Sequence, residues 1–376
     1  MKLKNIQDVK DLKGKRVLLR ATLNVPVKEG KVTNDFRLRR TLKTIRFLQE
    51  ESAKIIMIGH IGRDASLSLY PVYEYFKKYL PISFAHEIFG EKTNIALNKI
   101  KNGEVVLLEN LRTNEGERGN NKEFAKKLAS MADIYVNDAF SVSHREHASV
   151  VSIPQYLSSY AGFLLQEEVE ELSHALNPPS SSLCILGGAK FITKESLIEK
   201  LLGVYGKVYI SGALAHDFFK MHGYNIGKSL ISNIDVDLKA LVSNKKIMIP
   251  LDVAVENADG VFIKKPEEVS SEDNIADAGP ETAEQLEKLV QDSKFVLWNG
   301  PLGEYERGFI KPTEKLAYAI AKSPIKSVIG GGDTMASIAH LGLEDKFSFV
   351  STGGGAMLRF LLDGTLVGIE KLKNNK

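Results

Sequence analysis

The sequence contains a single cysteine, Cys184, among 376 residues. No disulfide can therefore form within the chain, which suits a reducing compartment. It has no uninterrupted apolar run near the ~20 residues that a membrane-spanning helix needs. The opening residues Met-Lys-Leu-Lys-Asn-Ile lack the apolar segment of a secretory signal. Together these absences make a cytoplasmic protein the expectation. Charge excess is also lacking: the formal net charge is +3, too small for nucleic acid or an anionic membrane to be the principal partner. Any basic site must arise from local placement. Neither the Walker A pattern nor the G-x-G-x-x-G dinucleotide fingerprint occurs. There is no internal repeat or low-complexity tract.

What is present is an alternation of short β-rich apolar runs with segments of helical period. The first series predicts strands at 17–19, 55–58, 105–108 and 134–136, and helices at 38–49, 72–79 and 123–131. A long amphipathic helix is expected over 161–176, followed by a linker, Asn177-Pro178-Pro179-Ser180-Ser181-Ser182. The second series predicts strands at 183–186, 208–210, 246–249, 295–298, 328–329 and 347–350, and helices at 195–202, 281–291 and 313–321. Asp259-Gly260 marks an additional hairpin over 255–262, and the acidic run 266–273 reads as solvated surface. Two such series imply an α/β protein with two doubly wound, Rossmann-like parallel-sheet domains.

In open parallel sheets ligands bind beyond the carboxyl ends of the strands. In the first half those ends carry Arg20 and Asn24, Gly59-His60-Ile61-Gly62-Arg63, Glu109-Asn110-Leu111-Arg112, and Asn137-Asp138 with His144-Arg145 beyond, while Arg37 opens the first helix. Any one arginine could make a surface ion pair; several at equivalent positions would hold a small polyanion. In the second half the ends carry glycine: Gly187-Gly188-Ala189-Lys190, Ser211-Gly212-Ala213, Asn299-Gly300-Pro301, Gly330-Gly331-Gly332-Asp333 and Gly353-Gly354-Gly355. Such openings at helix starts suit a nucleotide and its phosphates. Asp333 could be an N-cap or a ligand of a divalent cation. His60 could be a satisfied strand-end histidine or a ligand contact. His144 and His147 have metal-like spacing but no companion cysteines, so zinc is not expected. One anion-binding half and one nucleotide-binding half suggest phosphoryl transfer.

Together these motifs resemble the phosphoglycerate kinase family over essentially the whole chain. Residues 15–26, 59–63, 109–112, 135–140 with 144–145, 185–190, 298–303, 331–334 and 351–356 are similar to its successive signatures, in order. The resemblance implies reversible phosphoryl transfer between 1,3-bisphosphoglycerate with ADP and 3-phosphoglycerate with MgATP. It implies a glycerate-binding domain at 1–155, an interdomain helix at 156–177, a nucleotide-binding domain at 178–363, and a tail, 364–376, packed back on the first domain. A hinge would close the two. Thr22, Asn24, Arg37, His60, Arg63, Arg112 and Arg145 fall on substrate-binding positions, with Arg37 and Lys190 stabilising the transferring group. Gly188, Ala189 and Gly212 would lie near adenine, Lys194 and Asn299 near phosphates, and Glu306 at the ribose. Gly331 and Gly332 would admit phosphate, Thr334 would hold it, and Asp333 would ligate Mg²⁺. The partners implied are small molecules, and the expected state is a monomer.

Departures from the family pattern are Thr22 in place of aspartate, Ser211 and Ala213 in a glycine triplet, Ser141, Phe191, Ile192, Met357, Arg359, and Gly59 and Asp64 flanking the His-Ile-Gly-Arg core. Thr22 keeps alive an alternative, a nucleotide-binding relative without turnover. Retention of Arg37, Lys190, Asp333 and Thr334 argues against it.

Overall fold

The computed structural model describes residues 1–188, 195–232 and 239–375. Two compact units divide the chain: Met1–Glu170 together with Thr365–Lys376, and Glu171–Gly364. The first boundary falls inside the helix Phe163–Ala175.

The parallel sheet of the first unit has six strands, β1 (Arg16–Arg20), β2 (Lys54–Ile58), β3 (Ile82–Phe84), β4 (Val105–Leu107), β5 (Ile134–Asn137) and β6 (Ser158–Ala161). They pair in the order β3-β4-β2-β1-β5-β6, all parallel. β1 and β5 are adjacent but distant in sequence, so the strand order reverses between them and a crevice opens above their carboxyl ends. The central strands are apolar and buried on both faces: Val17, Leu19, Ile55, Met57 and Val136 are buried with Leu38, Ile45 and Leu48 of the helix Phe36–Glu50, and Leu18, Ile56 and Val106 at the alternate positions are buried as well.

The second unit repeats the plan with β7 (Ser182–Leu186), β8 (Lys207–Ile210), β9 (Ile247–Met248), β10 (Val253–Asn257), β11 (Gly260–Lys264), β12 (Asn274–Ala278), β13 (Phe295–Asn299), β14 (Lys326–Gly330) and β15 (Phe349–Val350). Its parallel sheet runs β9-β8-β7-β13-β14-β15, with the reversal between β7 and β13. β11, β10 and β12 form a separate antiparallel sheet.

Three expectations need correction. The long helix begins at Phe163, because Ser158–Ala161 is the edge strand β6; its Ser-Ser-Tyr-Ala sequence has no apolar run to announce it. β3 and the helix Glu91–Lys99 were likewise not expected from the sequence. The run 266–273 is not uniformly solvated. Asp273 is fully buried and accepts from Lys264 Nζ, Asn257 Nδ2 and the Ser270 amide at 2.7 Å each, tying the hairpin to the turn before β12.

Asp138, just past β5, caps the helix Phe163–Ala175. Its Oδ1 accepts from the amides of Leu164 at 2.9 Å and Leu165 at 3.2 Å. Complete burial nevertheless raises its carboxyl to about 7. An acid raised above its unfolded value of ~3.9 contributes stability fully present below that value and lost as pH rises through the folded value. The stability gap between Asp138→Asn and the parent should therefore grow in the variant's favour, by on the order of 2–3 kcal/mol between pH 5 and pH 8. Urea unfolding at both pH values measures it; a flat gap would mean Asp138 is not held neutral.

Candidate active site

In the first unit the polar residues gather at the carboxyl ends of β1, β2, β4 and β5. Arg20 ends β1 fully buried, donating through Nε to Ser149 Oγ at 2.9 Å, through Nη1 to the Ala21 carbonyl at 2.7 Å and through Nη2 to His60 Nδ1 at 3.0 Å. Thr22 is buried and donates to the Asp138 carbonyl at 3.2 Å, which leaves its oxygen lone pairs to accept. Asn24 links two predicted substrate residues. Its Oδ1 accepts from the Gly62 amide at 2.8 Å, and its carbonyl accepts from Arg37 Nη1 at 2.7 Å. Gly59 sits where any β-carbon would meet Leu23 Cδ1 at 2.6 Å, so the glycine at this position fits its neighbour. Arg112 donates to the Gly62 carbonyl, and Arg145 Nε donates to His144 Nε2 at 3.3 Å.

The electrostatics show which of these groups face one another. Arg112 is lowered to about 10, by burial first and then by Arg145, Arg118 and Arg20. Arg145 is lowered by burial and then by Arg63 and Arg118. Burial, followed by Arg20, Arg112, Arg145 and His147, drives His60 far below the usual histidine range. Arg63, Arg112, Arg145 and His60 therefore share one region, a cluster of like charge that an anion would relieve. Arg37 is mostly buried, lowered by that burial and partly offset by Glu168; it joins the others through Asn24. Arg118, in the short helix Glu115–Arg118, was not singled out from the sequence. It donates to the Arg63 carbonyl and bears on Arg112 and Arg145. Its only signal was a basic residue six positions after Arg112.

In the second unit the ends of β7 and β13 meet at the reversal of strand order. A β-carbon on Gly187 would lie 2.3 Å from the Pro301 carbonyl oxygen, so only glycine lets these loops touch. Beside them is a cavity of about 140 Å³ lined by Gly188, Gly212, Ala213, Leu230, Pro301 and Asp277, among others. Its walls are mainly apolar, with room for part of a flat ring system. Ala213 lines it, whereas Ser211 does not, so the added bulk in the former glycine triplet falls at one position. Pro250, His216 and Asp277 also line it and carried no sequence signal. Burial raises the Asp277 carboxyl to about 8.

Beyond β14 the helix Gly332–Ile338 starts after Gly331, which is its N-cap and makes no side-chain cap bond. Asp333 is thus in the first turn and exposed, and does not serve as the cap. Thr334 is buried, donating to the Gly330 carbonyl at 2.9 Å and accepting from the Gly300 amide at 2.7 Å. Asn299 Nδ2 donates to the same Gly330 carbonyl at 2.9 Å. Both predicted phosphate contacts therefore hold the glycine loops in place through their side chains. Met357 fills the space beside Gly330, where a β-carbon would meet its sulfur at 2.0 Å. Asp333 and Glu306 come together at Tyr305, whose hydroxyl is raised by burial and then by both carboxylates. Ala189, Lys190 and Lys194 lie outside the described residues.

Among the described residues no cluster of three or more His, Cys, Asp or Glu could cage a metal ion. A single exposed carboxylate still fits Mg²⁺ that arrives on a nucleotide, since that ion is held by one or two carboxylates and the phosphates themselves. No helix among the described residues is long and apolar enough to cross a membrane.

The model of the family described as "Phosphoglycerate kinase" matches residues 6–364. The chain is similar to the phosphoglycerate kinase of Dictyoglomus turgidum, 40% identical over 396 aligned residues and covering 100% of both chains. Against that of a Wolbachia from Brugia malayi the identity is 41% over 396, covering 100% of this chain and 99% of the relative. Among solved structures it is similar to phosphoglycerate kinase from Coxiella burnetii, with TM-score 0.84, 37% identity and coverage of 99% and 98%. The Pyrococcus horikoshii enzyme gives TM-score 0.87 at 29% identity, covering 98% of each chain.

Proposed function

The chain belongs to the phosphoglycerate kinase family, and from that premise we infer which residues carry its reaction. It is a phosphotransferase, moving a phosphoryl group reversibly between 1,3-bisphosphoglycerate with ADP and 3-phosphoglycerate with ATP. The comparisons lend no support to a binding-only relative.

The first unit is the glycerate-binding half. The observation that carries this assignment is the excess of positive charge where Arg112 and Arg145 bear on His60 and Arg63 on Arg145, with Glu117 the one carboxylate acting on Arg112. Guanidinium forks bind phosphate and carboxylate oxygens in pairs. Thr22 and Asn24 add polar contacts, and Arg37 stabilises the charge of the transferring phosphoryl group, a role the family resemblance also implies for Lys190. The second unit is the nucleotide-binding half. Its cavity takes adenine against Gly188 and Gly212, Glu306 takes the ribose, and the phosphates run along Asn299 and the Gly331–Thr334 turn; by the family resemblance Ala189 would add to the adenine contacts and Lys194 to the phosphate contacts. Mg²⁺ bound to the nucleotide would neutralise phosphate charge, and Asp333 would hold it. No general base is needed to form ATP, because the attacking ADP oxygen is already anionic. Alignment and charge stabilisation suffice for this chemistry. The protein acts on these small molecules as a cytoplasmic monomer.

A coupled assay of 3-phosphoglycerate-dependent ATP consumption with Mg²⁺ tests the assignment. Turnover should depend on both substrates. Nucleotide binding without turnover above background would overturn it.

A further inference from the structure

Behind the arginine cluster lies a buried chain of hydrogen bonds whose direction is forced at every link. Glu117 is fully buried, and its two oxygens accept from the Ser149 amide at 3.0 Å and from Ser149 Oγ at 2.6 Å. The Ser149 hydroxyl has one proton, so having given it to Glu117 it must accept from Arg20 Nε at 2.9 Å. Arginine has no acceptor, so the 3.0 Å contact between Arg20 Nη2 and His60 Nδ1 is donation into the imidazole lone pair. Nδ1 therefore carries no proton, and the proton of the neutral ring sits on Nε2.

We propose that Glu117, Ser149 and Arg20 act as positioning residues that lock His60 in the Nε2–H tautomer, making it a neutral hydrogen-bond donor to an oxygen of the glycerate. This rests on the reading of the first unit as the glycerate-binding half. Protonating Nδ1 would set an N–H against the Arg20 guanidinium, with Arg112, Arg145 and His147 adding to the penalty. The other groups around the chain do not change its direction. Tyr135 donates to the Ser149 carbonyl at 2.5 Å, and His147 Nδ1 stands 3.7 Å from Glu117 Oε1. Among the described residues nothing is hydrogen-bonded to His60 Nε2. Arginines attract any anion; a neutral donor of fixed direction adds orientation without adding charge.

The decisive measurement is the long-range ¹H–¹⁵N imidazole spectrum of the full chain, with His60 assigned by loss of its signals in His60→Gln. The expected result is a protonated Nε2, an unprotonated Nδ1 and no titration between pH 5.5 and pH 8.5. The opposite tautomer, or titration in the ordinary histidine range, overturns the proposal. In Glu117→Gln and Ser149→Ala the Nε anchor of Arg20 is weakened or lost, the guanidinium is free to leave Nδ1, and the ring should populate both tautomers. KM for 3-phosphoglycerate should then rise about tenfold with kcat held within about twofold. A raised KM with the tautomer unchanged would mean the chain acts only as packing, and overturns the relay. The wild-type spectrum decides the tautomer even where a variant does not fold. Adding 3-phosphoglycerate probes the other premise separately: no shift at Nε2–H would overturn the donor role while leaving the buried chain intact.

Discussion

Arg37→Ala should lower kcat by about two to three orders of magnitude while leaving nucleotide affinity nearly unchanged. The guanidinium is mostly buried, held by the Asn24 carbonyl at 2.7 Å, with Glu168 compensating its charge. In its proposed role a guanidinium so held would be pre-placed for charge that develops during transfer. The Arg63, Arg112 and Arg145 cluster would still bind the ground-state anion, so the loss should fall on kcat. Steady-state kinetics with both substrates varied, alongside calorimetric titration of nucleotide, separates the cases. A kcat that held while only KM rose would give Arg37 a ground-state role.

Gly300→Ala should unfold the second unit at markedly lower denaturant and weaken nucleotide binding at least tenfold. The residue has φ +105°, and a β-carbon there would lie 2.4 Å from the Gly187 carbonyl carbon. The obstructing atoms are backbone and cannot rotate away. Trp298 Nε1 donates to the Gly300 carbonyl at 2.8 Å and Thr334 accepts from its amide, so the loop is fixed from both sides. Strain of this kind together with overpacking costs about 3–5 kcal/mol. Gly203→Ala is the control. It is exposed in the helix Glu195–Val204 with nothing within 4 Å of a new β-carbon, and should gain up to ~1 kcal/mol. A Gly300→Ala variant as stable as the parent would show that the β7 and β13 loops can separate without consequence.

The central strands were legible because a strand buried on both faces must be apolar along its length. The glycines and arginines at their carboxyl ends were legible because parallel-sheet topology dictates where a ligand can approach. Ser158–Ala161 was not, since an edge strand partnered on one side can be built from serine and tyrosine. Nor was the chain Glu117–Ser149–Arg20–His60. Its members lie 32, 129 and 40 residues apart, and no local pattern marks a buried polar network before the fold brings it together. Asp273 escaped for the opposite reason: an acidic neighbourhood looks solvated until Lys264 and Asn257 close over one member of it.

The segment 365–375 belongs to the first unit, not to the second that precedes it. Gly368 donates to the Ser143 carbonyl at 2.8 Å, and Asn375 Oδ1 accepts from the Ser159 amide at 2.9 Å at the edge strand β6. Ile369 and Leu372 are buried there as well. During vectorial synthesis, therefore, the usual order in which the earlier domain matures first is interrupted. The ribosome must finish the entire second unit before it delivers the strip that completes the first. The unit begun first is the one finished last.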